Sequence, residues 1–155
     1  MTTISIHILQ TNGQAAPGKL ADAELRARRA ILVAHASPKL DVEARLALID
    51  VLLEQARPEA ANSELEAVDA VLKGGGGSIT RESARADWFR AEIHRRNYRV
   101  DLALPPYERA IDAALRAEGP QSRLAIDIRL SLARALLFVG EVDLSKRQLA
   151  AALAA

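Results

Sequence analysis

The sequence contains no cysteine, which removes disulfides, thiolate nucleophiles and cysteine-based metal sites from consideration. Aromatic residues are almost as scarce, with one tryptophan, two tyrosines and two phenylalanines, so any core must be built from aliphatic side chains. Neither sign of charge dominates. The 21 basic and 20 acidic side chains leave a formal charge of +1, too little to bind polyanions by bulk electrostatics. No window approaches the roughly 18 apolar residues of a membrane span. The short apolar stretch Ile4–Leu9 has no basic residue before it, so no signal peptide is expected. A cytoplasmic location is the expectation.

What is present favours helices. Half of the residues are apolar, most of them Ala and Leu, and Arg and Glu supply most of the charge; these are strong helix formers. The length suits one compact domain. Acidic residues are in slight excess before the glycine run at 74–77 and basic ones after it, as solvated helix faces commonly show.

The first 18 residues differ from the rest. Ile4, Ile6 and Ile8 alternate with Ser5, His7 and Leu9, the period of a strand, and Thr11-Asn12-Gly13 reads as a turn. An extended N-terminal segment (1–18) is therefore expected before a helical domain (19–155). Helical spacing begins near Lys19 with Leu20, Ala23, Ala27, Ala30, Ile31 and Ala34. Ser37-Pro38 stops it, and Asp41 is placed to cap a second helix running to about Ala56. Pro58 suits the first turn of a third helix ending near Lys73. The pattern resumes at Thr80, with Glu82 and Ser83 in the first turn, and runs to about Tyr98. Asp101 or Pro105-Pro106 opens the next helix, which stops at Glu118-Gly119-Pro120. Ser122 to Val139 and Asp143 to the end complete seven helices. The predicted class is all-α, a stack of antiparallel helix hairpins.

Helical hairpins in series call for a test of self-similarity. A constant step of 42 residues aligns Ile49, Ala91 and Ala133, then Ala56, Tyr98 and Gly140 at the turn. Ala61, Ala103 and Ser145 follow, then Leu65, Tyr107 and Leu149, and then Val68, Ala110 and Ala152. A small residue at a helix crossing lets two backbones approach, and a larger apolar one a turn away fills the groove beside it. The last hairpin, with Leu132-Ala133, Leu136, Gly140, Ser145, Leu149 and Ala152, resembles a tetratricopeptide repeat, and Tyr107–Ile111 resembles that repeat's second helix. The resemblance covers about 41–155. It departs from the family in its longer step, in the bulk of Ile49, and in Arg90, which shares a column with Leu48 and Leu132.

Gly74–Ser78 resembles the flexible linkers that protein engineers insert, and is read as a replacement for a longer loop between two hairpins. It does not fit a phosphate-binding loop, because the only nearby lysine, Lys73, precedes the glycines.

Nothing in the sequence assembles a catalytic centre or calls for a cofactor. His7, His35 and His94 are far apart and outside any metal-ligand spacing, and the nucleophile-elbow motif is absent. His94 shares a column with Leu52 and Leu136 and reads as a packed ring. Acidic pairs such as Glu141/Asp143 fit helix ends. An enzyme is not expected.

In the tetratricopeptide family the first helix of each hairpin lines a concave groove. The resemblance therefore implies a non-enzymatic protein-binding scaffold or adaptor of bacterial type. Its groove set would be Glu43, Leu46, Asp50 and Leu53 from the first repeat. The second would supply Arg85, Trp88, Glu92, Arg95 and Arg96, and the third Asp127, Leu130, Arg134, Leu137 and Phe138. Trp and Arg are common interface anchors, and Arg95 and Arg134 are suited to grip carboxylates. Trp88 has a second reading, as a core anchor in so aromatic-poor a chain. Two other functions compete. One is a nucleic-acid or transcription-linked domain using Arg81, Arg85, Arg95, Arg96 and Arg99, against which the near-neutral charge argues. The other is a self-assembling unit, with Ile4–Leu9 as a candidate swapped segment.

Overall fold

The computed structural model describes residues 17–34, 37–75 and 80–155. The expected strand at Ile4–Leu9, the swapped contact built on it, His7, His35 and most of the glycine run lie outside the described residues. Among the described residues seven helices follow one another: α1 (Pro17–Val33), α2 (Pro38–Glu54), α3 (Pro58–Gly74), α4 (Arg81–Arg96), α5 (Val100–Glu118), α6 (Arg123–Phe138) and α7 (Val142–Leu153). Neighbours in sequence pack against each other, and α2 also touches α4. The result is a helical repeat stack of three hairpins, α2/α3, α4/α5 and α6/α7, with α1 laid on α2.

The helix starts are locally encoded. Ser37 Oγ accepts from the Leu40 amide at 3.4 Å, ahead of Pro38 in the first turn. Asp41, expected to cap α2, instead sits a turn inside it, where its carboxylate accepts from Arg45 Nε at 2.9 Å. Ser37 takes the cap because the following proline fixes the first helical residue. Thr80 and Ser83 form a reciprocal capping box on α4, and Ser122 Oγ accepts from the Ala125 amide at 3.0 Å.

The start of α5 also departs from expectation. Pro105 and Pro106 lie inside the helix, which opens at Val100. They deprive the Asp101 and Leu102 carbonyls of their helical donors. Val100 and Ala103 are nonetheless buried, and the Leu102 and Ala103 amides both donate to Arg99 O at 3.1 Å, so the first turn is held by packing and by the bonds that precede the prolines.

The 42-residue step has a backbone signature. Ala56, Tyr98 and Gly140 all have positive φ, at 55°, 59° and 83°. At each turn the same two bonds recur. Ala56 N donates to Leu53 O and Arg57 N to Leu52 O; Tyr98 N donates to Arg95 O and Arg99 N to His94 O; Gly140 N donates to Leu137 O and Glu141 N to Leu136 O. This is the Schellman closure of a helix by a left-handed residue, repeated three times in register. The crossing columns agree: Ile49, Ala91, Ala133, Ala61, Ala103 and Ser145 are all buried, and Ser145 Oγ donates to Ala133 O at 2.9 Å. Polar bridges repeat too. Arg45 donates to Glu64 at 2.7 Å in the first hairpin, and Arg129 to Gln148 at 3.0 Å in the third, at equivalent positions.

Two apolar clusters meet at α4. Ala86, Phe89 and Ile93 face α2 and α3, while Ala84, Ala91 and the partly buried Trp88 join the cluster of α5 and α6. Arg90, the polar member of the Leu48/Leu132 column, reaches out to Asp69 of α3 at 2.6 Å. No helix among the described residues is long and apolar enough to cross a membrane.

Candidate functional site

Because the three Schellman turns recur in register, the C-terminal ends of α2, α4 and α6 come to one side of the stack. There they enclose a cleft of about 440 Å³, lined by Ala56, Pro58, Arg95, Arg96, Tyr98, Arg134 and Phe138. The Tyr98 and Phe138 rings approach with centroids 6.1 Å apart, and both are largely exposed. Three guanidiniums and two rings thus converge from two different hairpins.

The arginines differ in how they are held. Arg95 donates twice to one oxygen of Glu92, at 2.6 and 3.2 Å, and the other Glu92 oxygen accepts from the Tyr107 hydroxyl. Burial works against the Arg95 charge, but Glu92 outweighs it and holds the guanidinium above its ordinary value. Burial, reinforced by Glu92, likewise pushes the Tyr107 phenol up, so that it stays a donor. Arg96 reaches Glu54 at 3.4 Å, and its Nε is buried with no partner. Arg134 is exposed and makes no ion pair among the described residues. Two of the three cations are thus partly neutralised within the chain, whereas Arg134 has no carboxylate beside it among the described residues.

Chemically the cleft has no nucleophile and no acid–base pair. Among the described residues no three His, Asp or Glu side chains converge as metal ligands, and His94 is half-buried. What the cleft offers is charge-assisted hydrogen bonding beside flat apolar surface, a recognition chemistry.

No family model, curated protein or solved structure matches the chain. Its own geometry therefore carries the functional argument.

Of the residues singled out from the sequence, Arg95, Arg96, Arg134 and Phe138 are brought together in this cleft. Glu92 lies behind it as the buried anchor of Arg95. Leu137 is exposed and Leu130 half-buried, but neither lines the cleft. Arg85 and Trp88 also lie away from it. Arg85 stacks over the Phe89 ring at 5.8 Å, and Trp88 packs on the core cluster with its Nε1 buried and unpartnered. Leu46 and Leu53, expected on the groove, are instead core residues, fully covered or nearly so. The reason is that α2 is packed against α1, α3 and α4 together, and a helix enclosed on several sides buries more than one stripe. The cleft residues that the groove reading missed are Ala56, Pro58 and Tyr98. Ala56 and Tyr98 belong to the turn column of the repeat, and Pro58 opens α3 two residues after it.

The arginines proposed for nucleic acid do not form one basic face. Arg81 pairs with Glu118 at 2.7 Å and Arg99 with Asp101 at 3.0 Å, while Arg85 is half-buried. Burial lowers Arg85 below its ordinary value against the pull of Asp50.

Proposed function

We propose that the chain is a tetratricopeptide-type scaffold that binds an acidic segment of a partner polypeptide, and that it carries no catalytic activity of its own. One observation carries the reading: Arg95, Arg96 and Arg134 converge with Tyr98 and Phe138 around a single cleft. Support for the repeat type comes from the three Schellman turns and the buried small-residue columns at a 42-residue step. A carboxylate from the partner meets the unpaired Arg134 first. An adjacent apolar side chain lies on the two rings, which cost little conformational entropy to order because they already touch.

The decisive variant is Arg134→Glu. Arg134 has no charged partner to orphan among the described residues, whereas reversing Arg95 would strand the buried Glu92. Fluorescence anisotropy with labelled acidic peptides, each beside its amide-substituted twin, reads the effect. Losing one charge-assisted contact weakens binding about tenfold or more. Peptides that bind the wild type and Arg134→Glu equally well, or acidic and amide forms that bind alike, would overturn the proposal. The natural ligand is then found by comparing what the two forms retain from the native host.

A further inference from the structure

Arg95 and Arg96 are neighbours at the end of α4, yet they are held very differently. Arg95 makes two bonds to the buried Glu92, the shorter of 2.6 Å, and Glu92 is fixed in turn by Tyr107. Arg96 has one long contact, Nη2 to Glu54 at 3.4 Å, and the Glu54 side chain is 60% exposed. An exposed ion pair of that length contributes little. The Arg96 Nε is buried with no partner, so this guanidinium keeps a donor that Glu54 leaves unused. Glu54 and Arg96 stand one 42-residue step apart, and the same column continues to Phe138. Arg96 and Phe138 line the cleft and Glu54 does not, so Glu54 holds one wall residue of the cleft from outside it.

Nothing in α2 itself calls for an acid at this position. Glu54 is the last residue of the helix, where the carbonyl end of the dipole repels a carboxylate. Asp50 precedes it by one turn and adds like-charge repulsion. What the position offers is the Arg96 guanidinium. We infer that Glu54 is an internal competitor for the arginine cleft, occupying Arg96 in the free protein and yielding it to the second of two neighbouring carboxylates on the partner. This rests on the reading of the cleft as a site for an acidic segment, and adds which segments qualify. The first carboxylate meets Arg134, which has none beside it among the described residues. The second displaces Glu54, the freed guanidinium turns, and Nε and Nη2 of Arg96 donate to it together, side-on. A segment with a single carboxylate leaves Glu54 in place and binds more weakly. Glu54 is thus a positioning residue that acts on specificity through Arg96.

Fluorescence anisotropy on the full chain tests this with two short labelled peptides. One carries adjacent aspartates beside a phenylalanine, and in its twin one aspartate is asparagine. Glu54→Gln should tighten the paired-aspartate peptide about threefold, the scale of one exposed ion pair, and should not tighten the twin. The gain should vanish in an Arg96→Gln background, where the interaction that Glu54 competes for is already gone. Glu141→Gln removes an equal, exposed charge just past the α6 end of the cleft and should give no gain. Glu54→Gln should fold as the wild type does, with a urea midpoint no lower, because it removes an exposed charge that the end of α2 disfavours. A gain that is absent, that persists without Arg96, or that Glu141→Gln reproduces overturns the inference and leaves the acidic-segment reading intact. If neither peptide binds, or neither senses Arg134→Glu, that reading itself falls and this inference with it.

Discussion

Tyr107 of α5 donates its hydroxyl hydrogen to Glu92 of α4, and Glu92 in turn holds Arg95 at the edge of the cleft. A fully buried phenol is thus linked through one carboxylate to a solvent-facing guanidinium. The bond keeps the buried Glu92 oxygen satisfied and fixes the rotamer of the arginine beyond it.

Tyr107→Phe removes only the hydroxyl. It leaves a buried carboxylate oxygen short of a donor, a loss of about 1–3 kcal/mol, measured as a lower urea midpoint with an unchanged slope. Alkaline pH gives a second reading of the same bond. Because burial raises the folded phenol above its ordinary value near 10, its contribution is complete below about pH 10. It is lost as pH rises from there towards the folded value. Wild type should therefore lose stability above about pH 10 more steeply than Tyr107→Phe. Parallel curves would show that the phenol binds its proton equally well in the folded and unfolded chains, and would refute the raised value.

The Schellman column makes a prediction with opposite signs at equivalent sites. Ala56 holds a left-handed conformation that costs a side-chain-bearing residue about 1 kcal/mol, a cost that glycine escapes. Ala56→Gly should therefore stabilise by about that amount, and Gly140→Ala should destabilise by about the same. A Cβ added at Gly140 meets nothing within 4 Å, so the whole effect there is backbone strain. Chemical denaturation of both variants checks the pair, and two changes of the same sign would refute it.

The helix ends and the repeat were legible because both are local. Ser37-Pro38, Thr80 with Ser83, and Ser122 supply caps within four residues, and the columns need only a constant step. What was not legible depended on distances between helices. Glu92 and Tyr107 are 15 residues apart and meet only because Ala91 and Ala103 let α4 and α5 approach. The family resemblance implies a groove position for Leu46 and Leu53, yet α2 is enclosed by three neighbours. Tyr98 falls at a turn, as its column in the repeat implies, but a turn column does not say which side of the stack its side chain will line.

Pro105 and Pro106 tell the same story for α5, and they differ in exposure. Pro106 is buried and contributes packing, whereas Pro105 is exposed. Pro105→Ala restores a donor to the Asp101 carbonyl and removes the ring clash, without loss of buried surface. The unfolded chain gains some entropy in exchange, leaving a net stabilisation of about 1–2 kcal/mol. Thermal unfolding by circular dichroism reads this as a higher midpoint. An unchanged or lower one would show that the first turn of α5 is already strained in a way that suits proline.

The charged pair Asp50 and Arg85 supplies a pH-dependent prediction. Burial pushes the Asp50 carboxyl above its usual range, and the nearby Arg85 only partly offsets this. A carboxyl whose folded value is raised binds its proton more tightly in the fold than in the unfolded chain. Its contribution is fully present below the unfolded value near 4, and is lost as pH rises through the folded value. Ionised Asp50 therefore works against the fold at pH 7. Asp50→Asn, which keeps the shape without the charge, should be more stable than wild type at pH 7, and the difference should shrink towards zero by about pH 3. Arg85 does lose a countercharge in the variant, but the shift of Asp50 is already net of that attraction, so the sign stands. Urea titrations of both proteins at the two pH values decide it. A difference of the same size at pH 7 and pH 3 would assign the effect to packing rather than to charge.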